Sequence, residues 1–361
     1  MGKEKEFLDD SILEMFGLTY EQAKLMFSAQ VMLAKYDCKQ TKDKKSADYK
    51  EKWIREWEHR ISDYLQKINN SCTETLYLEV GLAERFINEI AASNNRTWYY
   101  IVVLELLEFN AFIPLGGEND KKYAKCKYDK KKAKAFLKEF ICKQRYLSVE
   151  KIERIDKTYD KSLSKIYGKT GKIVAGCITV IAISGIAAAV AAVAAGSIAV
   201  VLVGGMFEGL RGAALVAACL AYIGGGAIAA GGAGMAGGVA VIAGGGALLG
   251  LAGGGAIVGI GTHLLSSSPE FVLTQAAKLE TILQEVILNA QQDVETAQKV
   301  IARYQQKIDE LNSELTRMEL ENEKNKKELK NIKTSIEYLK RSCKDMKQFT
   351  SSYEIGKTME G

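Results

Sequence analysis

Apolar residues recur at three- and four-residue spacing over residues 5–35, 47–69, 73–92, 96–113 and 121–167, the pattern of helices with one buried face. Trp53, Trp57, Ile61, Tyr64, Leu65 and Ile68 trace such a face. From Trp98 to Leu107 the apolar run is nearly unbroken; its length and continuation predict a core helix over a buried strand, and ten residues are too few to span a bilayer. A helix start is written at Ser268, Pro269 and Glu270, a capping serine followed by proline in the first turn and an acid beside it. Beyond it a heptad seam runs through Leu279, Leu283, Val286, Ala290, Val294, Ile301, Ile308, Leu315, Leu329, Ile336 and Met346. Asn322 and Asn325 fall in that seam and are read as setting register or oligomer state; the alternative is a helical hairpin turning between Glu323 and Lys327. Read as continuous, residues 269–347 would form a rod of about 115 Å that needs a partner helix, from another copy or from the N-terminal module. Residues 349–361 carry no seam and are expected to fray. With prolines only at 114 and 269 and few breakers outside the centre, the fold class expected is all-α.

Between the two patterned regions, residues 173–265 behave differently. Thirty-five uncharged residues precede Glu208 and Arg211, and 54 follow them, with 24 of the 33 glycines falling between Gly176 and Gly261. A spanning helix needs about 20 such residues, so the block has the length for two to four passes. Constitutive transmembrane helices, conditional insertion and a buried core are the three readings of it. Glu208 and Arg211, three apart, either mark a hairpin tip or line and gate a pore. Gly246, Gly250, Gly254 and Gly261 offer small-residue spacing for close helix packing, as in a glycine zipper.

Charge sharpens the division. Residues 121–172 hold 18 Lys and Arg against 6 acids, whereas the whole chain is only +5. Lys121, Lys122, Lys125, Lys127, Lys130, Lys131, Lys132 and Lys134 alternate with Tyr123, Tyr128 and Phe136. Three readings fit: contact with anionic lipid and a cytoplasmic start to the first span, binding of a nucleotide or nucleic acid, or a solvated lysine-rich helix face.

Candidate chemistry is sparse. His59, read as a helix-surface residue, and His263, read as interfacial, are the only histidines. The seven cysteines form no C-x-x-C pair, which argues for reduced thiols over a zinc site or a disulfide frame. Gly168-Lys169-Thr170 ends like a phosphate loop but lacks the upstream glycine and strand. The N-terminus shows neither a secretory leader nor a myristoylation pattern. No enzyme, cofactor or metal is expected.

A helical bundle followed by a Gly/Ala-rich block and a long amphipathic helix resembles helical pore-forming proteins. The Gly-rich block also resembles the membrane-addressing region of apolipoprotein L-like proteins. The same order of blocks is similar to the membrane effectors of bacterial anti-phage abortive-infection systems, such as the Hailong channel effector. That resemblance implies an oligomeric membrane channel or pore-forming effector of antiviral defence, with the bilayer, further copies of the chain and a nucleotide-type ligand as partners. A membrane-anchored coiled-coil tether and a membrane-anchored nucleic-acid-binding regulator are the alternatives. The expected organisation is a helical bundle at 1–120, a Lys-rich segment at 121–172, a membrane region at 173–265, a coiled coil at 266–348 and a flexible tail at 349–361. The expected location is the inner or plasma membrane, with the N-terminal module on the cytoplasmic side.

Overall fold

The computed structural model describes residues 18–68, 76–112, 118–168, 269–320 and 326–360, and every regular element among them is helical. In chain order they are α1 (Tyr20–Lys39), α2 (Lys44–Ile68), α3 (Leu82–Ala92), α4 (Thr97–Glu108), α5 (Asp120–Tyr123), α6 (Lys130–Cys142), α7 (Val149–Tyr167), α8 (Pro269–Ile282), a π-helical turn (Leu283–Leu288), α9 (Val294–Leu320) and α10 (Lys326–Glu360).

Helix starts follow local chemistry. Thr19 caps α1 with a full capping box: Thr19 Oγ1 accepts from the Gln22 N–H, and the Gln22 side chain accepts from the Thr19 N–H. Ser148 caps α7, whose other end closes on Gly168 at φ +76°. Glycine suits that position, because the backbone is left-handed and a Cβ there would lie 2.4 Å from Arg341 Nη1 and push it off the carbonyls it caps. Arg341 Nη1 donates to the carbonyls of Ile166 and Tyr167 at 3.0 and 3.1 Å, supplying the last turn of α7 with partners.

Helix α4 is the centre. Every residue from Thr97 to Leu107 is buried, as its nearly unbroken apolar run requires. It packs on α1 and α6 on one side and on α7 and α8 on the other. Residues 22–34 of α1 and 272–282 of α8 are buried on all sides as well. Trp53 and Trp57 stack at 5.1 Å on the inner face of α2 and meet Phe112 and Phe109, which closes the core from below.

Burying α4 and α8 together encloses charge, and that charge is matched. Lys278 Nζ donates to both oxygens of Glu105 at 2.7 and 2.8 Å, with both side chains at most a tenth exposed. Four further acids are held where α7 meets its neighbours. Glu285 accepts from Arg154 Nε at 2.5 Å and from Thr158 Oγ1 at 2.7 Å. Glu280 accepts from Ser162 at 2.8 Å and Ser342 at 3.3 Å. Asp156 and Glu108 share Lys134. Glu280 has hydroxyls where the others have cations, and burial, reinforced by Asp345, lifts its pKa to about 7 despite the two serines and Lys165.

The C-terminal helices differ from a single rod. α9 and α10 run antiparallel, and side-chain pairs cross between them, among them Gln298 with Glu354, Gln305 with Lys347 (2.8 Å), Asn312 with Lys340 (2.9 Å) and Glu319 with Lys333 (2.6 Å). On each helix these partners are spaced by seven, one heptad per step, so the seam residues of one helix face those of the other. Ala297, Ile301, Tyr304, Ile308 and Leu311 are buried on α9, with Ile332, Ile336, Leu339, Cys343 and Met346 on α10. The partner the seam needs is therefore within the chain. Asn322 and Asn325 lie outside the described residues. α10 continues through the expected tail to Glu360, with Thr350 buried and Phe349 packed on the core.

The expectations of a membrane channel or pore, of membrane-anchored tethers and regulators, and of residence in an inner or plasma membrane are corrected. Among the described residues no helix is long and apolar enough to cross a membrane. The most apolar, α4, has 12 residues, a rise of about 18 Å, and the longer helices carry charged faces. The apolar block itself, with Glu208, Arg211, Gly246, Gly250, Gly254, Gly261 and His263, lies outside the described residues.

Two outcomes follow from the buried acids. Lys278→Met, which strands the Glu105 carboxylate, is expected to lower unfolding free energy by about 3–5 kcal/mol in urea titration, and pairing it with Glu105→Leu to recover most of the loss. For Glu280 the folded pKa lies above its ordinary 4.5. Its protonated form therefore favours the fold, and stability falls as pH rises from about 4.5 to about 7. Glu280→Gln removes that component, so the variant's stability should gain on the parent across this window, by about 2–3 kcal/mol at the top of it.

Candidate functional site

The lysine run does not form one surface. Lys121, Lys122, Lys125, Lys127, Lys131 and Lys132 are exposed, with Lys132 paired to Asp129 at 3.1 Å and Lys122 over the Tyr49 ring at 5.3 Å. Lys130 and Lys134 turn inward. Lys130 reaches Glu108 at 2.8 Å; Lys134 reaches Glu108 at 3.2 Å and Asp156 at 2.5 Å. Burial pulls the Lys134 ammonium down, but the two acids outweigh it and its pKa is raised; the same cations hold Glu108 below its ordinary value against burial. These two lysines pin α6 to α4 and α7. The run thus divides between a solvated face and a structural anchor.

A different cluster carries a ligand-sized site. Between the first turn of α4, the loop joining α6 to α7, the first turns of α7 and the π-helical turn lies a cleft of about 320 Å³, lined by Arg96, Tyr100, Tyr146, Lys151, Arg154, Ile155, Glu285, Asn289, Ala290 and Gln291. Three cations face one carboxylate there. That carboxylate, Glu285, is engaged by Arg154, Thr158 and, at 3.4 Å, Asn289 Nδ2. Arg154 is half exposed and keeps guanidinium surface toward the cleft, whereas Glu285 is only 2% exposed.

Local backbone explains how these groups meet. The N-terminal ends of α4 and α7 both open here, adding partial positive charge. The π-helical turn widens the chain after α8: the Asn289 N–H bonds to Gln284 O at 3.1 Å and the Gln291 N–H to Val286 O at 2.8 Å, each five residues back. Such turns are uncommon and gather at functional sites. Two of the three described non-glycine residues with positive φ flank cleft residues: Arg145 at +57° beside Tyr146, and Gln292 at +57° beside Gln291. Left-handed backbone costs a residue with a side chain roughly 1–2 kcal/mol. Gln291 is tied down by a 2.8 Å bond from its Nε2 to Thr97 Oγ1, which holds the turn against α4. Tyr146 meets Tyr99 and Tyr100 edge-on at 5.3 and 6.0 Å, and burial pushes the Tyr100 hydroxyl well up.

A larger groove of about 820 Å³ runs between α9 and α10, lined by Lys347, Asp309 and Glu354 among neutral residues, without a bias of charge. His59 is exposed on α2. Cys38, Cys126, Cys142 and Cys343 are free thiols, and among the described residues no cluster of three His, Cys, Asp or Glu is placed to hold a metal. No protein-family model, curated protein or solved structure matches the chain.

The eight cleft-facing polar and aromatic residues were not apparent as a group, because they are spread from Arg96 to Gln291. Partial signals were present: Arg96 and Tyr100 share a face at i, i+4, Lys151 and Arg154 at i, i+3, and Glu285 interrupts the apolar LQEVIL. The division of the lysines is open to test. Lys134→Ala should lower stability by about 1–3 kcal/mol in chemical denaturation, while Lys131→Ala should stay within about 0.5 kcal/mol of the parent.

Proposed function

We propose that this chain is a helical binding protein that captures a small anionic ligand in the cleft between α4, α7 and the π-helical turn. The observation that supports this reading most is the convergence of Arg96, Lys151 and Arg154 on one small concavity whose single carboxylate already has partners. A solvated lysine face gathers cations too, but it does not enclose them or border them with strained backbone. Among the described residues that line it there is no His, Cys, Ser or Asp, and capture rather than bond-breaking is the chemistry these side chains favour.

A bound anion would touch both halves of the chain at once. Arg96 and Tyr100 belong to α4, Lys151 and Arg154 to α7, and Asn289 and Gln291 to the turn that leads into α9. Binding would therefore stabilise the junction through which the C-terminal hairpin joins the core.

Thermal unfolding of the full chain in inorganic phosphate, against chloride at equal ionic strength, tests the reading. A rise in Tm is expected that is lost in Arg96→Gln/Lys151→Gln, while the variant's Tm in chloride stays near the parent's. An equal rise in the variant, or none in the parent, contradicts it.

A further inference from the structure

We infer that the ligand of this cleft is a nucleoside monophosphate, a planar heteroaromatic ring carrying one phosphate; this rests on the anion-capture reading above. The cleft combines two kinds of group. Lys151 and Arg154, one turn apart on α7, are cations near the start of that helix, whose first turn adds its own partial charge. Arg96 and Tyr146 add a guanidinium set beside an aromatic ring.

Their spacing is the informative measurement. Arg96 Cζ lies 5.6 Å from the Tyr146 ring centroid, whereas a closed guanidinium–ring contact in the same protein, Arg85 over Tyr77, measures 4.0 Å. Arg96 stands open from its ring by 1.6 Å relative to that pair. A flat ring stacked on both sides needs about 3.5 Å each way, so a further outward shift of about 1.5 Å by Arg96 admits one. Arg96 is exposed and precedes the first turn of α4, so little opposes that shift. Tyr146 is held in place by its T-shaped contacts with Tyr99 and Tyr100, and the ring face beneath Arg96 is the stacking surface. Arg and Tyr are the side chains that stack on nucleobases without demanding one sequence.

Asn289 and Gln291 border the same space with amides; their nitrogens already donate to Glu285 and Thr97, and their carbonyl oxygens are acceptors that suit the edge of a base. At about 320 Å³ the cleft stands at the small end of ligand pockets, which run from about 300 to 1,000 Å³. That room suits one nucleotide unit better than a dinucleotide. A bare dicarboxylate or phosphate would use the cations and leave the side of Tyr146 that faces Arg96 unfilled.

Calorimetric titration of the full chain with inorganic phosphate, ribose 5-phosphate, adenosine monophosphate and uridine monophosphate separates the possibilities. At least one nucleotide should bind about tenfold or more tighter than ribose 5-phosphate. Tyr146→Leu should bring nucleotide affinity down to the ribose 5-phosphate level and leave phosphate affinity unchanged. Because Tyr146 also packs against Tyr99 and Tyr100, Arg96→Lys serves as the second variant: it keeps the charge, removes the planar stack and should lower nucleotide affinity selectively. Equal affinity for all four compounds, or nucleotide affinity indifferent to both variants, overturns the nucleotide assignment and leaves anion capture standing. Absence of binding by every compound overturns both.

Discussion

The ion pair between Glu105 and Lys278 joins helices 173 residues apart, and most of the architecture depends on it. Both ends sit on helices enclosed on every side, so each charge has been taken from water at a cost of several kcal/mol and only the other repays it. A bidentate contact fixes both the rotation and the height of α8 against α4. Once Lys278 is set, α8 runs antiparallel to α7 in one register, with Glu280 opposite Ser162 and Glu285 opposite Arg154 and Thr158. Apolar packing alone would tolerate neighbouring registers of such a helix. The buried acids would be left unpaired in each of them.

That register also makes the cleft. Glu285 belongs to the π-helical turn, and its bonds to α7 hold the wide turn open toward Tyr146 and Arg96. The chain then leaves through Gln291 and the left-handed Gln292 into α9, so the hairpin of α9 and α10 inherits its position from the same turn. Gln291 bound to Thr97 brings the exit back to α4, closing the circuit on the helix where it began. Site and scaffold are thus one set of contacts.

Much of this order is legible in the sequence, and the reasons for the remainder are physical. The unbroken apolar run of α4 and the seam spacing beyond Val294 name helices correctly, because they depend on neighbours a few residues away; the capping Ser268 lies outside the described residues. What the seam faces is a long-range matter: the same spacing serves a rod or a hairpin, and the cross-pairs from Gln298–Glu354 to Glu319–Lys333 decide for the hairpin. The lysine run misleads for a related reason. Lys130 and Lys134 look like their exposed neighbours until α4 and α7 bring Glu108 and Asp156 beneath them. The membrane reading rests on residues 173–265 and the lysines before them, and none of the described helices is long and apolar enough to cross a membrane. The cleft was hardest to see, since its residues gather from four separate elements.

The central claim is that helices from both ends of the chain share one core around α4. All three tryptophans lie in the N-terminal part, at Trp53, Trp57 and Trp98, so their fluorescence reports one side of that core. A fluorophore placed at the exposed Ser351 on α10 reports the other. In a single urea titration of the full chain, one shared core predicts that the two signals change together, with the same midpoint and slope. Two separated transitions would show that the N-terminal helices and the C-terminal hairpin fold independently, and would contradict the account.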